Sequence, residues 1–531
     1  MSRARKFWGW GYEDYEIPQE MLSQYKQMLG FALGIESFSD IPEPILEDII
    51  IRVPRFPLSE ATETICTSEK FDRLSHSYGK SYRDVWRGLH GQFDNPPDYV
   101  AYPKNESDIT KLYDFAQDKD IAIVPFGGGS SVTGGVEPTM NQAYNGVISV
   151  DMKYFDQVLE VDVKSRTAKI QAGMFGPAIE QALKPYGLTM RHYPQSFEFS
   201  TLGGWIVTRS GGHFATLYTH IDEFVQSVTM ISPSGRMATR RLPGSGAGPS
   251  EERLISGSEG IFGIVTEAWV RLQTIPQYKD KQSVNFAQWK DGVEACRLIA
   301  QSGLNPSNAR LVSPIEALNN GLGNGADTVL IVGFESHNHQ VDALLQEALS
   351  ICETCNGTWR KKENTQGKDE SADSWKKSFL AAPYMRDEIL KLGCIAETFE
   401  TAITWDQFDS FHKELTATAN QAIKDICGAG MITCRFTHLY PDGPAPYYTI
   451  IARGQTGREM EQWDKIKTIM SNKLIELGAT ITHHHAVGKD HQPFYKDQMS
   501  EPFDAILRSV KKTLDPSGIL NPDVLIESKV R

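Results

Sequence analysis

Two stretches of this chain hold residues whose types and spacing suit chemistry. The first is 121–135, IAIVPFGGGSSVTGG. Gly127, Gly128 and Gly129 run into Ser130, Ser131, Val132, Thr133, Gly134 and Gly135. Without side chains in the way, successive backbone N–H groups can approach one anion closely, and the serine and threonine hydroxyls add donors. A dinucleotide pyrophosphate is the natural guest. The loop is not a Walker loop, because Gly135 stands where lysine is required. It is not a Rossmann fingerprint either, because Val132 takes the place of the third glycine. A flexible surface turn is the plainer alternative.

The second stretch is His483, His484 and His485. It follows IELGATIT, which reads as a strand, and in extended backbone His483 and His485 share a face. They suit metal ligation, with Asp490 or His491 as a further ligand, or proton transfer. Tyr447 and Tyr448 open a strand after Pro444 and Pro446, so one of them faces inward. A tyrosine beside an imidazole can relay a proton at carbon. Arg310 and Arg386 carry the planar fork that holds phosphate or carboxylate, although a surface position is the commoner reading for each.

The elements that must position these residues follow from the apolar patterning. Tyr99 to Tyr102 read as a strand, residues 109–116 as one face of a helix with Ser107 as N-cap, and Ile121 to Phe126 as a second strand. This βαβ unit delivers the glycine loop. Residues 146–152, 157–163 and 167–173 read as short antiparallel strands, and 224–240 as a hairpin turning at Pro233-Ser234-Gly235. Glycine-rich stretches recur at 201–213, 243–252 and 257–263. After residue 275 strands alternate with helices in longer units, which predicts a mostly antiparallel sheet with helices on one face. Residues 356–373, charged and small, read as a mobile loop. The resulting division is an aromatic and helical N-terminal extension (1–90), a nucleotide-binding domain (91–275), a second domain (276–450) and a closing segment with the histidines (451–531). Within the extension, WGWGY and the helical pattern of 18–34 suit packing on the protein or a second subunit, or contact with a membrane surface.

Bulk properties narrow the function. At 531 residues the chain exceeds a single core, and its net charge of −13 argues against nucleic acid as a main partner. Seven scattered cysteines fit reduced thiols in a cytosol-like compartment, and the lone Cys352-x-x-Cys355 carries no zinc or redox context. The N-terminus lacks a secretory apolar region and the C-terminus is not a peroxisomal SKL ending, so a cytoplasmic location is expected, with peripheral contact at a membrane surface as an alternative to a free enzyme.

These motifs resemble one family. PFGGGSSVTGG, STLGGWIVTRSGG and GSEGIFGIVTEA look like the FAD-binding domain of the vanillyl-alcohol-oxidase type flavoproteins, and DPSGILNP is similar to the close of that group. WGWGY, Ala309-Arg310-Leu311, FETAITWD at 399–406 and HHHAVG at 483–488 are similar to the alkyldihydroxyacetonephosphate synthase family. The resemblance implies an α+β fold: a two-lobed FAD-binding domain plus a cap domain with a mostly antiparallel sheet. It implies exchange of the acyl chain of acyl-dihydroxyacetone phosphate for a long-chain alcohol, with no net redox change at the flavin. Tyr447 would transfer the proton at the substrate carbon, with His483, His484 and His485 around it, Arg310 essential, and Arg386 on the substrate phosphate. The implied FAD contacts are Pro125, Phe126, Gly127, Gly128, Gly129, Ser130 and Ser131, then Gln195, Ser196, Ser200, Thr201, Gly203, Gly204, Thr208, Ser210 and Gly211. Glu259, Gly260, Gly263, Ile264 and Val265 complete them. The string from Arg209 to His213 imitates the loop by which some flavoproteins attach FAD to histidine. Here PFGGGSS takes that loop's place and has no histidine, so FAD is expected to be noncovalent. Because bound flavin would already serve exchange at carbon, the histidines read as a proton relay and no metal is expected. The competing reading is an FAD-linked oxidase or dehydrogenase of a 2-hydroxy acid. A homodimer is compatible with either.

Overall fold

The computed structural model describes residues 3–139, 143–360 and 382–528. Its first half is two small sheets. One has the order Cys66–Thr67, Tyr99–Ala101, Gly146–Asp151, Ile121–Phe126. The helix Glu106–Lys119 crosses between two of these strands, burying Ile109, Leu112, Tyr113 and Ala116. Its N-cap is Asn105 rather than the expected Ser107: the Asn105 side chain accepts the N–H of Asp108 at 3.0 Å. The strand Gly146–Asp151 pairs in parallel with both Tyr99–Ala101 and Ile121–Phe126, so it is not one of three antiparallel strands as expected. The reason is visible in burial. Every residue of GVISVD is buried, as in a strand covered on both faces, whereas VLEVD at 158–162 is partly or fully exposed.

The second sheet is antiparallel, in the order Val158–Asp162, Thr167–Gln171, Ile264–Arg271, Val225–Ser232, Gly235–Ala238. Tyr113 donates across to the Ile231 carbonyl at 3.0 Å and ties the two sheets together. The C-terminal segment closes this half: the N–H of Ile123 donates to Ile519 O and the N–H of Asn521 to Ile123 O, each at 2.8 Å.

The other half is one six-stranded antiparallel sheet. Its order is Tyr278–Phe286, Thr328–Ser336, Asn308–Val312, Gly430–Leu439, Pro444–Arg453, Cys394–Glu400. One face packs on helices that include Trp289–Gln301, Asp342–Thr354 and Trp405–Cys427, with Cys434, Phe436, Tyr448 and Ile450 in the core. The opposite face bears Thr433, Arg435, Tyr447, Thr449 and Ile451 and lines a cavity. Period-two alternation thus separates Tyr447 from Tyr448. Both are buried, but only Tyr447 faces the cavity.

The N-terminal helix Gln19–Leu33 packs through Leu29 and Leu33, both fully buried, while Phe31 is 94% exposed. Trp8 and Trp10 are buried, and the N–H of Trp10 donates to the Asp387 carboxylate at 2.6 Å. The loop expected over 356–373 falls mostly in 361–381, outside the described residues. The strand expected before the histidines does not form. Ile475 and Glu476 end the helix Glu459–Glu476, and Gly478, at φ 73°, terminates it in the left-handed conformation that glycine adopts without strain. No helix among the described residues is long and apolar enough to cross a membrane.

Candidate active site

A cavity of about 950 Å³ separates the antiparallel six-stranded sheet from the glycine-rich half. The residues from Pro125 to Ser131 form one wall. Gln195, Ser196, Ser200 and Thr201 continue it, with Gly203, Gly204, Thr208, Ser210, Gly211, Glu259, Gly260, Gly263, Ile264 and Val265. Arg310, Arg386, Tyr447, His484 and His485 line the same space, whereas His483 lies behind it.

The glycine wall fits a bound dinucleotide because it has no room for side chains. A Cβ on Gly128 would collide with the Phe199 carbonyl, and one on Gly127 with the Thr201 hydroxyl. Gly129 has φ 68° and Gly260 φ 77°, conformations that favour glycine. Ser131 Oγ accepts the N–H of Gly135 at 2.9 Å, fixing the loop's curl. Glu259 is buried, and burial pushes its carboxyl up to about 7 against the N–H groups of Val487 and Gly488, which donate at 2.9 and 2.8 Å. Those bonds lock the segment after the histidines onto the glycine-rich half.

On the facing sheet, Tyr447 sits between two cross-strand partners, Arg435 and Glu400. The Arg435 guanidinium lies 3.8 Å from the Tyr447 ring centroid. Arg435 donates to Glu316 at 2.5 Å, and Thr433 to the same carboxylate at 2.8 Å. Burial raises the Tyr447 pKa, while the Arg435 cation and a Thr398 hydrogen bond pull it back, so the hydroxyl carries its proton at neutral pH. Arg310 is 2% exposed, and its pKa is pushed down to about 9 by burial and then by Arg435. Arg386 donates to the Lys80 carbonyl, and its buried Nε has no protein partner among the described residues. That is a donor set open to a phosphate.

The histidine loop is organised by Glu400. Its carboxylate accepts the backbone N–H of His483 (2.6 Å), His484 (3.0 Å) and His485 (2.9 Å), and the Thr482 hydroxyl (2.6 Å). Burial would raise the Glu400 pKa, but its histidine neighbours hold it well below the usual carboxylate range. The rings of His485 and His484 stand 5.5 and 6.1 Å from that of Tyr447, centroid to centroid. Because the loop is not extended, His483 and His485 do not form the expected pair. The ring nitrogens within 4.8 Å of one another belong to His438, His483 and His484, a set that could hold a metal ion. The two residues weighed as further ligands point elsewhere: Asp490 pairs with Arg83 at 2.7 Å, and His491 Nδ1 lies 3.0 Å from the Ala486 carbonyl.

His438, Arg435, Glu400 and Glu316 are site residues that the sequence reading missed. His438 reaches the cavity through a β-bulge between Phe436 and His438, which puts Thr437 and His438 on the same side. A single histidine in THLYPDG carries no spacing to read, and the bulge that turns it to the cavity is not legible in the string.

Comparison with known proteins agrees with this geometry. A family model described as an FAD binding domain matches residues 97–240, and one described as the C-terminal domain of FAD linked oxidases matches 275–525. The fold and cavity therefore define an FAD-dependent flavoenzyme with a binding domain and an antiparallel cap. The chain is 29% identical to the alkyldihydroxyacetonephosphate synthase of Trypanosoma brucei brucei, over 93% of this chain and 83% of that protein. It is 28% identical to that of Dictyostelium discoideum with the same coverage. A solved alkyldihydroxyacetonephosphate synthase superposes with a TM-score of 0.83 at 25% identity, covering 98% of each chain. A glycolate oxidase subunit of Bacillus subtilis is 26% identical over 83% of this chain and 91% of that protein. The chain is therefore similar to alkyldihydroxyacetonephosphate synthases along nearly its whole length, in sequence and in fold.

Proposed function

We propose that this enzyme exchanges the acyl chain of acyl-dihydroxyacetone phosphate for a long-chain alcohol, forming an ether. The observation that carries the reading is Tyr447, held between Arg435 and the Glu400-anchored histidine loop and facing the glycine-lined cavity. FAD, when bound along the glycine wall, supplies the nucleophilic centre for exchange at carbon with no net redox change.

The protein's own groups then divide the work. Arg386, with its open Nε, binds the substrate phosphate. Arg310 adds a second cation in a water-poor setting, where its charge acts strongly. Tyr447 moves the proton at the substrate carbon, and His484 and His485, lining the same space, exchange it onward. The apolar side chains of Met28, Ile389, Met431 and Ile451 give the aliphatic chains a dry place. Met28 lies on the same helix as the outward Phe31, which favours peripheral contact with a membrane surface in a cytoplasmic setting. Incubation of the FAD-loaded protein with acyl-dihydroxyacetone phosphate and a labelled long-chain alcohol should give labelled ether and free fatty acid. Absence of the ether, with 2-hydroxy acids oxidised instead, would support the alternative oxidase.

A further inference from the structure

Behind the cavity wall, the hydrogen-bonded histidines continue. His484 Nδ1 lies 2.9 Å from His483 Nδ1, and His483 Nε2 lies 2.8 Å from the Tyr440 hydroxyl. That hydroxyl lies 3.1 Å from His220 Nε2, which is also 3.2 Å from His483 Nε2. Only His484 among these four lines the cavity. Tyr440 sits at the turn after the strand Gly430–Leu439, where its N–H and that of Gly443 bond each other's carbonyls. His220 precedes the short helix Ile221–Phe224 and is partly exposed, beside Asp222 and the half-exposed Arg209.

We propose that Tyr440 and His220 carry the reaction's proton between the histidine triplet and solvent, as a wire from His484 through His483 and Tyr440 to His220. The inference rests on Tyr447 and His484 handling the substrate proton. Each member has one site to accept and one to give. A proton arriving at His484 Nε2 releases the one on Nδ1 to His483 Nδ1. His483 passes its Nε2 proton to the Tyr440 oxygen, the Tyr440 hydroxyl proton moves to His220 Nε2, and His220 releases its Nδ1 proton to solvent. One proton travels, every ring exchanges one N–H for another, and no net charge is left inside. Glu400 fixes the loop by accepting the backbone N–H groups of His483, His484 and His485.

The test uses full-length, FAD-loaded Tyr440→Phe and His220→Gln with acyl-dihydroxyacetone phosphate in deuterated water. The readouts are exchange of the substrate's C1 hydrogen, kcat and KM separately, FAD content, and rescue by imidazole. We expect exchange and kcat to fall about 10–100-fold in Tyr440→Phe, the low range for lost proton transfer. KM and FAD content should hold, and imidazole should restore part of the rate. His220→Gln, altered at the partly exposed end, should show a smaller loss with the same rescue, and it decides the matter alone if Tyr440→Phe does not fold. Wild-type exchange matched by both variants would overturn the wire. A loss that follows FAD content and resists imidazole would also overturn it, because a purely structural role does that. No exchange in the wild type would instead overturn the proton role of Tyr447, and the wire with it.

Discussion

The carboxylate of Glu400 accepts the backbone N–H of His484 with both of its oxygens, at 3.0 and 3.1 Å. With the N–H groups of His483 and His485 on the same carboxylate, an irregular loop acquires a fixed shape. Glu400→Gln replaces one acceptor oxygen with an amide that donates, facing groups that also donate. We expect a loss of about 3–5 kcal/mol in unfolding free energy, the range for removing one partner of a buried charged network. Turnover should fall, while FAD content persists because Glu400 does not line the cavity. Urea unfolding and flavin absorbance check both; unchanged stability would refute the anchoring role.

Stability should also fall with acidification from near neutral pH. Burial lowers His192 and His485 to about 3 and His220 and His412 to about 4. His438, His483 and His491 move the same way. Unfolded histidine takes up its proton near pH 6.5, so below that the unfolded chain binds more protons and each such histidine costs about 1.4 kcal/mol per pH unit. The stabilisation is complete above about pH 6.5 and is lost as the pH falls toward each folded value. Glu259 and Asp387, raised to about 7, and Asp490, raised to about 6, act oppositely, since they hold protons in the folded state. The histidines outnumber them. The urea midpoint should therefore drop between about pH 7 and pH 5, and a rise would contradict these assignments.

The glycine wall makes a separate prediction. Gly128→Ala places a methyl group against the Phe199 carbonyl, so the loop must shift and FAD occupancy should collapse, with folding largely kept. In the wild type, acid precipitation should release yellow flavin into the supernatant, as noncovalent binding requires. Full occupancy in the variant, or flavin retained on the precipitated chain, would count against this account of the loop.

Tyr447→Phe and His484→Ala should each slow turnover about 100-fold or more, as loss of acid–base catalysis does, without altering FAD content. Arg310→Lys should act similarly. Lysine lacks the planar fork, and the burial that lowers Arg310 to about 9 would leave it partly uncharged near neutral pH. Near-normal rates in any of these would remove that residue from the site.

How much of this was legible in the sequence depends on the range of the signal. The strand Ile121–Phe126 and its glycine loop are local, and their residue types announce them. Tyr447 was legible as half of an alternating pair. The parallel partner strand Gly146–Asp151 was not, because alternation does not encode strand direction, though its unbroken apolar run was a hint. Glu400 and His220 escaped notice because their contacts span 83–85 and 263 residues along the chain, and a lone glutamate or histidine carries no spacing to read. His438 depended on a bulge, and the irregular course of 479–485 on a helix that takes in Ile475 and Glu476, the first residues of the expected strand.

The proposed reaction is group exchange at carbon by an enzyme whose flavin ends each turnover as it began. It is tested most directly by mixing the FAD-loaded protein anaerobically with acyl-dihydroxyacetone phosphate and a long-chain alcohol, while product and flavin absorbance are followed together. Group exchange gives many equivalents of alkyl-dihydroxyacetone phosphate per flavin, with the oxidised flavin spectrum recovered when substrate is exhausted. Stoichiometric, lasting flavin bleaching by a 2-hydroxy acid, with no ether formed from the lipid substrates, would contradict it.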